Sequence, residues 1–185
     1  LHEPGRPLLE TFRASDDYEF YYRRFRTLGT PLAKLLFIHG IQSHGGWYTN
    51  SCAKLAQAGF DVYFLDRRGC GLNTARRGDA PSFRRLLDDI GEFASLLQAT
   101  PGKLLLNAIS WVGKLGCALP YRHPGLIDGL TLLCPGLFAQ VSPPLTTRLL
   151  IGRSAVRAPT KMFAIPLNDP ALFTSSPEKQ AYIAH

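Results

Sequence analysis

The sequence predicts a doubly wound, mainly parallel α/β sheet followed by the start of a helical cap. Three observations carry this reading. Short apolar runs end in turn residues: 35–38 (LLFI) before His39-Gly40, 61–65 (DVYFL) before Asp66, 104–106 (LLL) leading into Ser110, and 130–133 (LTLL) before Pro135-Gly136. Runs of this length suit central strands buried on both faces. Helical patterns fill the gaps, and that alternation calls for right-handed crossovers. The unusual residues lie just past the strand ends, where such sheets bind ligands.

The first element, residues 18–28 (YEFYYRRFRTL), reads as an aromatic-rich strand or hairpin pair. Residues 48–58 then carry Cys52, Leu55, Ala56 and Ala58 at helical spacing, with Gly59 as the stop. Residues 83–97 are clearer: Phe83, Leu86, Leu87, Ile90, Phe93, Ala94 and Leu97 form one apolar stripe behind Ser82 as N-cap. Residues 114–119 follow Ser110 as a further helix. Near Phe138 the rhythm breaks. Pro143-Pro144, an Arg-studded apolar stretch over 145–156, and Pro159, Pro166, Pro170 and Pro177 read as the start of an inserted cap, the alternative being a loop and terminal helix.

Composition narrows the function. With 185 residues, 45% hydrophobic and 11% aromatic, the chain can bury a sizeable core. No apolar run approaches the ~20 residues of a spanning helix. The net charge of +7 comes with the pairs Arg67-Arg68, Arg76-Arg77 and Arg84-Arg85, but Asp66, Asp79, Asp88 and Asp89 are interleaved. That pattern describes an ion-paired surface, and without a base-reading helix or aromatic RNA motif no nucleic-acid partner is expected. Cys52, Cys70, Cys117 and Cys134 are too scattered for a zinc site; Cys117 and Cys134, in apolar segments, read as core filling, and a reducing, cytoplasmic compartment is the default. The start Leu1-His2-Glu3-Pro4 has neither Met nor signal-peptide features and reads as a fragment boundary.

Three motifs carry the chemistry. Asn107-Ala108-Ile109-Ser110-Trp111-Val112-Gly113-Lys114 joins a strand to a helix. A serine at such a turn presents its hydroxyl at the sheet edge, and the N–H groups opening the helix can receive a developing oxyanion. The turn favours small residues on either side; Ala108 is a modest change from glycine, whereas the branched Val112 is a serious one. In the second motif, His39-Gly40-Ile41, the N–H of Ile41 is the natural partner donor to that of Trp111. His39 and His44 read as turn-stabilising histidines, and no third ligand makes them a metal site. The third, Asp66-Arg67-Arg68-Gly69-Cys70-Gly71-Leu72-Asn73, reads as a tight turn, since its glycines do not fit a dinucleotide site. No cofactor is implied.

In this order and at these separations the motifs resemble the α/β-hydrolase superfamily, in its monoacylglycerol lipase and lysophospholipase-like branch, also called serine aminopeptidase S33-like. His39, Gly40, His44, Gly46 and Tyr48 match the HG-x-x-x-H-x-G-x-Y segment. Asp66 to Gly71 match Asp-x-x-Gly-x-Gly-x-Ser, with Asn73 in the serine position. Ser110, Trp111, Gly113 and Lys114 match a Ser-Trp-Gly-Gly-Lys elbow, with Val112 in place of a glycine. The resemblance covers 18–137; beyond it, 138–185 resembles only the beginning of the cap that this branch inserts after the sixth strand. It divides the chain into 1–137, the N-terminal part of the core, and 138–185, the opening of the cap.

The resemblance implies a serine hydrolase cleaving a carboxylic ester, of monoacylglycerol or lysophospholipid type, through an acyl-enzyme on Ser110. Ile41 and Trp111 would supply the oxyanion hole. The partner would be a small-molecule or lipid-like ester, with peripheral membrane contact through the cap. The family's chain order is Ser, acid, His, with the last two after the cap. Asp128, Asp169, Glu178, His123 and His185 are not placed to serve, so the triad acid and histidine are expected outside this chain, which alone should be inactive. A sheet stopped at its sixth strand should expose an edge and aggregate. The alternative is a catalytically dead hydrolase fold acting as a binding protein, favoured by Val112 and the missing triad partners.

Overall fold

A computed structural model describes residues 6–138, 143–165 and 169–184. Leu1–Pro4, Pro166 and His185 lie outside the described residues. The chain divides into two compact units, Leu1–Gln140 and Val141–His185.

The first unit is built on six strands: β1 (Leu8–Arg13), β2 (Glu19–Phe25), β3 (Lys34–Ile38), β4 (Asp61–Leu65), β5 (Leu104–Ile109) and β6 (Gly129–Leu133). Their order across the sheet is β1-β2-β4-β3-β5-β6. The pairs β3–β4, β3–β5 and β5–β6 are parallel, while β1–β2 and β2–β4 are antiparallel. Three helices connect the parallel strands: α1 (Thr49–Gln57), α2 (Phe83–Gln98) and α3 (Gly113–Arg122).

Side chains on a strand alternate between faces, so a strand with no polar face needs cover on both. In β3 and β4 every residue is buried. Leu36, Ile38, Tyr63 and Leu65 join Ile90, Phe93, Leu97, Leu115 and Leu119 of α2 and α3 in one core layer. Leu35, Phe37, Val62 and Phe64 join Cys52 and Ala56 of α1 in the other. The sheet is therefore wound on both faces, as the apolar runs predict. β6, the outer strand among the described residues, is only partly covered.

Two local devices fix α2. Ser82 Oγ accepts from the Arg85 N–H, which makes it the N-cap. At the other end the buried Lys34 ammonium donates to the carbonyls of Leu97 and Thr100, both at 2.6 Å. A cation there satisfies carbonyls that the helix leaves open and complements its dipole. Phe83, counted in the apolar stripe, is instead half exposed in the first turn.

The structure adds a strand that the sequence reading leaves out. β1 pairs along its whole length with β2. Its inward positions are Leu8, Glu10 and Phe12, and the central carboxylate hides the alternation. Glu10 is accommodated because the Tyr22 hydroxyl donates to it at 2.6 Å. The arginine pairs also divide: Arg68 is buried and bidentate on Asp89, at 2.7 and 2.9 Å, while Arg76, Arg77 and Arg84 are exposed. All four cysteines are free; Cys52 is a core thiol, but Cys134 is exposed.

The second unit contains α4 (Leu145–Arg157) and α5 (Pro177–Ala184). In α4, Ser154 is buried, whereas Leu145, Leu149 and Val156 are exposed on the opposite side.

The aromatic cluster of Phe93 with Phe12 and Tyr22, at centroid separations of 5.4 and 4.7 Å, joins α2 to the β1–β2 hairpin. Phe93→Ala is expected to cost about 3–5 kcal/mol through lost burial and a residual cavity. The check is the urea midpoint of the full-length protein; an unchanged midpoint would show that the hairpin is not anchored here.

Candidate active site

β5 is a buried strand that must turn into α3 without a loop. Ile109 is extended (φ −106°, ψ 128°) and Val112 is already helical (φ −68°, ψ −13°). Between them Ser110 takes φ 57°, a left-handed conformation that non-glycine residues rarely hold. Such strain persists only where the surroundings over-determine it. Here the Gly136 N–H donates to the Ser110 carbonyl at 2.9 Å. A Cβ on Gly113 would lie 2.8 Å from Pro135 Cβ, and one on Gly116 2.8 Å from Ala108 Cβ. The helix therefore starts pressed against β5 and against the turn after β6.

The turn after β3 meets this elbow. A Cβ on Gly40 would be 3.0 Å from Ser110 Cβ and 3.5 Å from its Oγ. Only a residue without a side chain brings this backbone so near the hydroxyl. Ile41 follows directly, and among the described residues its N–H has no hydrogen-bond acceptor. Trp111 is the middle residue of the 3-10 turn Ser110–Val112, directly behind the serine. The structure thus brings Ser110, Ile41 and Trp111 to one end of two adjacent parallel strands.

Val112, the residue that breaks the glycine pattern, is fully buried in the core layer shared with α2 and α3. A close approach at this turn falls on Gly113, one residue on, where a Cβ would lie 2.8 Å from Pro135 Cβ.

The histidines of the second motif hold turns. His39 is fully buried, with Nδ1 2.9 Å from the Gly40 carbonyl and Nε2 accepting from the Arg67 N–H at 2.9 Å. These contacts select the neutral ring protonated on Nδ1. Burial, reinforced by the nearby Arg67 charge, lowers its pKa to about 3. His44 Nδ1 accepts from the Gly46 N–H and caps a 3-10 turn; burial lowers its pKa too.

The turn after β4 is built on Asp66, whose side chain is fully buried. Its carboxylate accepts from the N–H groups of Gly45 (2.6 Å) and Leu72 (3.1 Å) and pairs with Arg23 at 3.0 Å. Gly71, at φ 56°, passes so close that a Cβ would sit 2.2 Å from an Asp66 oxygen. Asn73 serves as a two-way clamp: its amide donates to the carbonyls of Asp66 and Arg67, and its oxygen accepts from the Tyr21 N–H.

Arg67 is the site residue that the sequence reading misses. Its Nε donates to the His39 carbonyl at 3.0 Å and its Nη2 to the Gly40 carbonyl at 2.9 Å, while the guanidinium lies 5.4 Å from the Trp111 ring centre. A basic pair reads as surface charge, and only the Trp111 side chain hints at a planar cation nearby.

The remaining acids and bases lie elsewhere. Asp128 accepts from the Leu104 N–H at the start of β5, the opposite strand end from Ser110. His123, at the C-terminus of α3, approaches Asp88 at 3.3 Å. Asp169 accepts from the Ala171 N–H and caps a 3-10 turn; Glu178 lies in the first turn of α5. Among the described residues, no group of three His, Cys, Asp or Glu side chains could hold a metal ion.

A two-faced, mainly parallel sheet with a serine elbow against a glycine turn is the α/β-hydrolase fold. Residues 29–185 match the family model described as serine aminopeptidase, S33, and the chain belongs to that family. It is 37% identical over 65 residues to an abhydrolase domain-containing protein of Dictyostelium discoideum, covering 35% of this chain and 7% of that one. In structure it is similar to a soluble variant of monoglyceride lipase from Saccharomyces cerevisiae, with a TM-score of 0.78, 18% identity and 95% of this chain covered. It is also similar to the Paleococcus ferrophilus monoacylglycerol lipase, with a TM-score of 0.69, 24% identity and 88% covered. The chain spans 60% of the length of each lipase chain.

Restoring the family glycine at 112 should weaken the protein. Val112→Gly removes a buried side chain and adds backbone freedom, for a loss of about 2 kcal/mol or more. Equal denaturation midpoints for the two proteins would contradict this.

His39 sets a pH dependence. Its folded pKa of about 3 lies below the ordinary 6.5, so between those values the unfolded chain binds more protons. Its contribution to stability is complete above 6.5 and is lost as pH falls towards 3, at no more than about 1.4 kcal/mol per pH unit. The stability difference between the unaltered protein and His39→Gln should therefore shrink on acidification, as read by denaturation at stepped pH. A difference constant with pH would mean that His39 does not titrate in this way.

Proposed function

We propose that the full-length protein is a serine hydrolase that cleaves a carboxylic ester, of lipid-like type, through an acyl-enzyme on Ser110. The observation that carries this is the left-handed serine at the β5–α3 turn with Gly40 against its hydroxyl. Strained residues gather where function requires an exact presentation, and Ile41, next to Gly40, and Trp111, next to the serine, are the candidate donors in this reading.

In this reading Ser110 Oγ attacks the ester carbonyl carbon and gives its proton to a histidine base. The carbonyl oxygen, now negative, is received by the N–H groups of Ile41 and Trp111. The carbon–oxygen bond to the alcohol then breaks, the base returns the proton to the departing oxygen, and water releases the acid by the reverse sequence. The base and its orienting carboxylate come from outside residues 1–185, consistent with Asp128, His123 and Asp169 being engaged elsewhere. On this reading the isolated chain does not turn over. The burial of Val112 supports an intact elbow over the alternative of an inactive binding protein.

The lipid-like substrate is supported by α4 as well as by the two lipases of similar fold. Its exposed Leu145, Leu149 and Val156 are accompanied by Arg148, Arg153 and Arg157, with no acidic residue on the helix. An apolar ridge flanked by cations suits a lid that meets an anionic lipid surface. Among the described residues, no helix is long and apolar enough to cross a membrane. The four free thiols support a reducing, cytoplasmic setting.

A fluorophosphonate applied to the full-length protein should label Ser110, as read by mass spectrometry. Ser110→Ala should abolish the label and lower kcat for monoacylglycerols or lysophospholipids by about 10⁴ or more. Labelling that survives the substitution would locate the nucleophile elsewhere. A well-folded protein that takes no label would favour the binding-protein alternative, and turnover of aminoacyl anilides in place of esters would redirect the substrate class.

A further inference from the structure

We propose that Arg67 is a positioning residue for the oxyanion hole: its guanidinium fixes the plane of the Gly40–Ile41 peptide, so that the Ile41 N–H stays turned towards the serine. The proposal rests on the reading of Ser110 as nucleophile and extends it to a residue that touches neither substrate nor serine.

The carbonyl of Gly40 and the N–H of Ile41 belong to one peptide unit. In a planar trans peptide these groups point in opposite directions, so holding the oxygen aims the hydrogen. The Gly40 oxygen is held twice, by Arg67 Nη2 at 2.9 Å and by His39 Nδ1 at 2.9 Å. The preceding peptide is held as well, by Arg67 Nε on the His39 carbonyl at 3.0 Å. One fork thus spans two consecutive carbonyls.

Such a hold is useful because residue 40 is a glycine. A Cβ there would crowd Ser110 at 3.0 Å, and a residue without one lets the adjoining peptides rotate cheaply. The space that admits the hydroxyl therefore also loosens the donor. A charge-assisted bond, roughly twice as strong as a neutral one, counters that freedom and polarises the peptide so that its N–H is a better donor.

The surroundings of Arg67 point the same way. Among the described residues no carboxylate pairs with it, unlike Arg23, Arg68 and Arg85, which all pair with acids. Its charge is spent on the two carbonyls and on the face of Trp111, the residue that carries the second oxyanion donor. Its own N–H holds the His39 ring at 2.9 Å, a bond that substitution of the side chain leaves in place. Lysine, a single point of charge, does not reproduce a planar fork across two oxygens.

The test uses Arg67→Gln and Arg67→Lys in the full-length protein, with a p-nitrophenyl ester as substrate. Outright loss of an oxyanion donor costs about 10²–10³ in kcat; because His39 keeps one hold, Arg67→Gln should lower kcat by about 10-fold with KM within about two-fold. Arg67→Lys should recover less than half of the loss. A trifluoromethyl ketone, whose adduct with the serine puts an oxyanion in the hole, should lose affinity by the same factor as kcat. The matching secondary alcohol, which forms no adduct, should bind unchanged. A crystal structure of Arg67→Gln should show the Gly40 carbonyl turned from its original direction.

Unchanged kcat, equal losses for ketone and alcohol, or a Gly40 carbonyl that keeps its direction in the Arg67→Gln crystal would each overturn the proposal. If the unaltered full-length protein neither hydrolyses esters nor takes the fluorophosphonate, the hydrolase reading falls by itself. The crystallographic comparison still decides whether Arg67 holds the peptide.

Discussion

The buried carboxylate of Asp66 is the contact on which the arrangement of the site depends. It stands at the end of β4, yet it accepts from Gly45 in the turn after β3 and from Leu72 further along its own turn, and it pairs with Arg23 on β2. One side chain thereby sets the separation of two loops and one neighbouring strand. A carboxylate withdrawn from water is tolerable only when its lone pairs are filled, and removing one partner of such a buried pair costs about 3–5 kcal/mol. Glycine at 71 follows from this, because the backbone must come within reach of the oxygens, whereas a Cβ at 45 would meet the Phe64 ring first, at 2.8 Å.

From that fixed point the geometry runs outward to the serine. Arg67 and Arg68 follow Asp66 and leave in different directions. Arg68 is drawn into the core against Asp89, with the Tyr18 ring 4.1 Å from its guanidinium carbon. Arg67 crosses to the carbonyls of His39 and Gly40. The first secures α2 and the β1–β2 turn to the sheet; the second bears on the turn that abuts Ser110. Two adjacent residues of identical chemistry therefore do unrelated work, decided by which face of the chain each occupies.

Much of this was legible in the sequence, for physical reasons that differ by element. The strands β3 to β5 announce themselves because a strand covered on both faces has few polar positions to interrupt the run, and β6 carries a similar apolar run although it is only partly covered. α2 is legible from its stripe and from Ser82, whose hydroxyl does cap it. The Ser110 turn is legible because few residue patterns pass from strand to helix in one step. β1 was hidden by Glu10, whose inward carboxylate is explained only by the Tyr22 hydroxyl across the hairpin. What Val112 meets is hidden for a similar reason: whether a side chain faces core or backbone at the second residue after the serine depends on helix packing that no local pattern encodes. Arg67 was illegible altogether, since its partners are main-chain carbonyls, which every residue has.

The φ of 57° at Ser110 has a further consequence, for how the sequence can drift. At this backbone position glycine rests more easily than serine, by about 1 kcal/mol, since it lacks the Cβ that the left-handed region penalises. Stability alone would favour losing the hydroxyl. A lineage relieved of its chemistry would find exchange for glycine not merely tolerated but rewarded by a firmer fold, whereas most positions in a core punish change. With Ser110 as the proposed nucleophile, the serine is held against the grain of the backbone that carries it, and its loss among descendants of this gene would mark loss of that use.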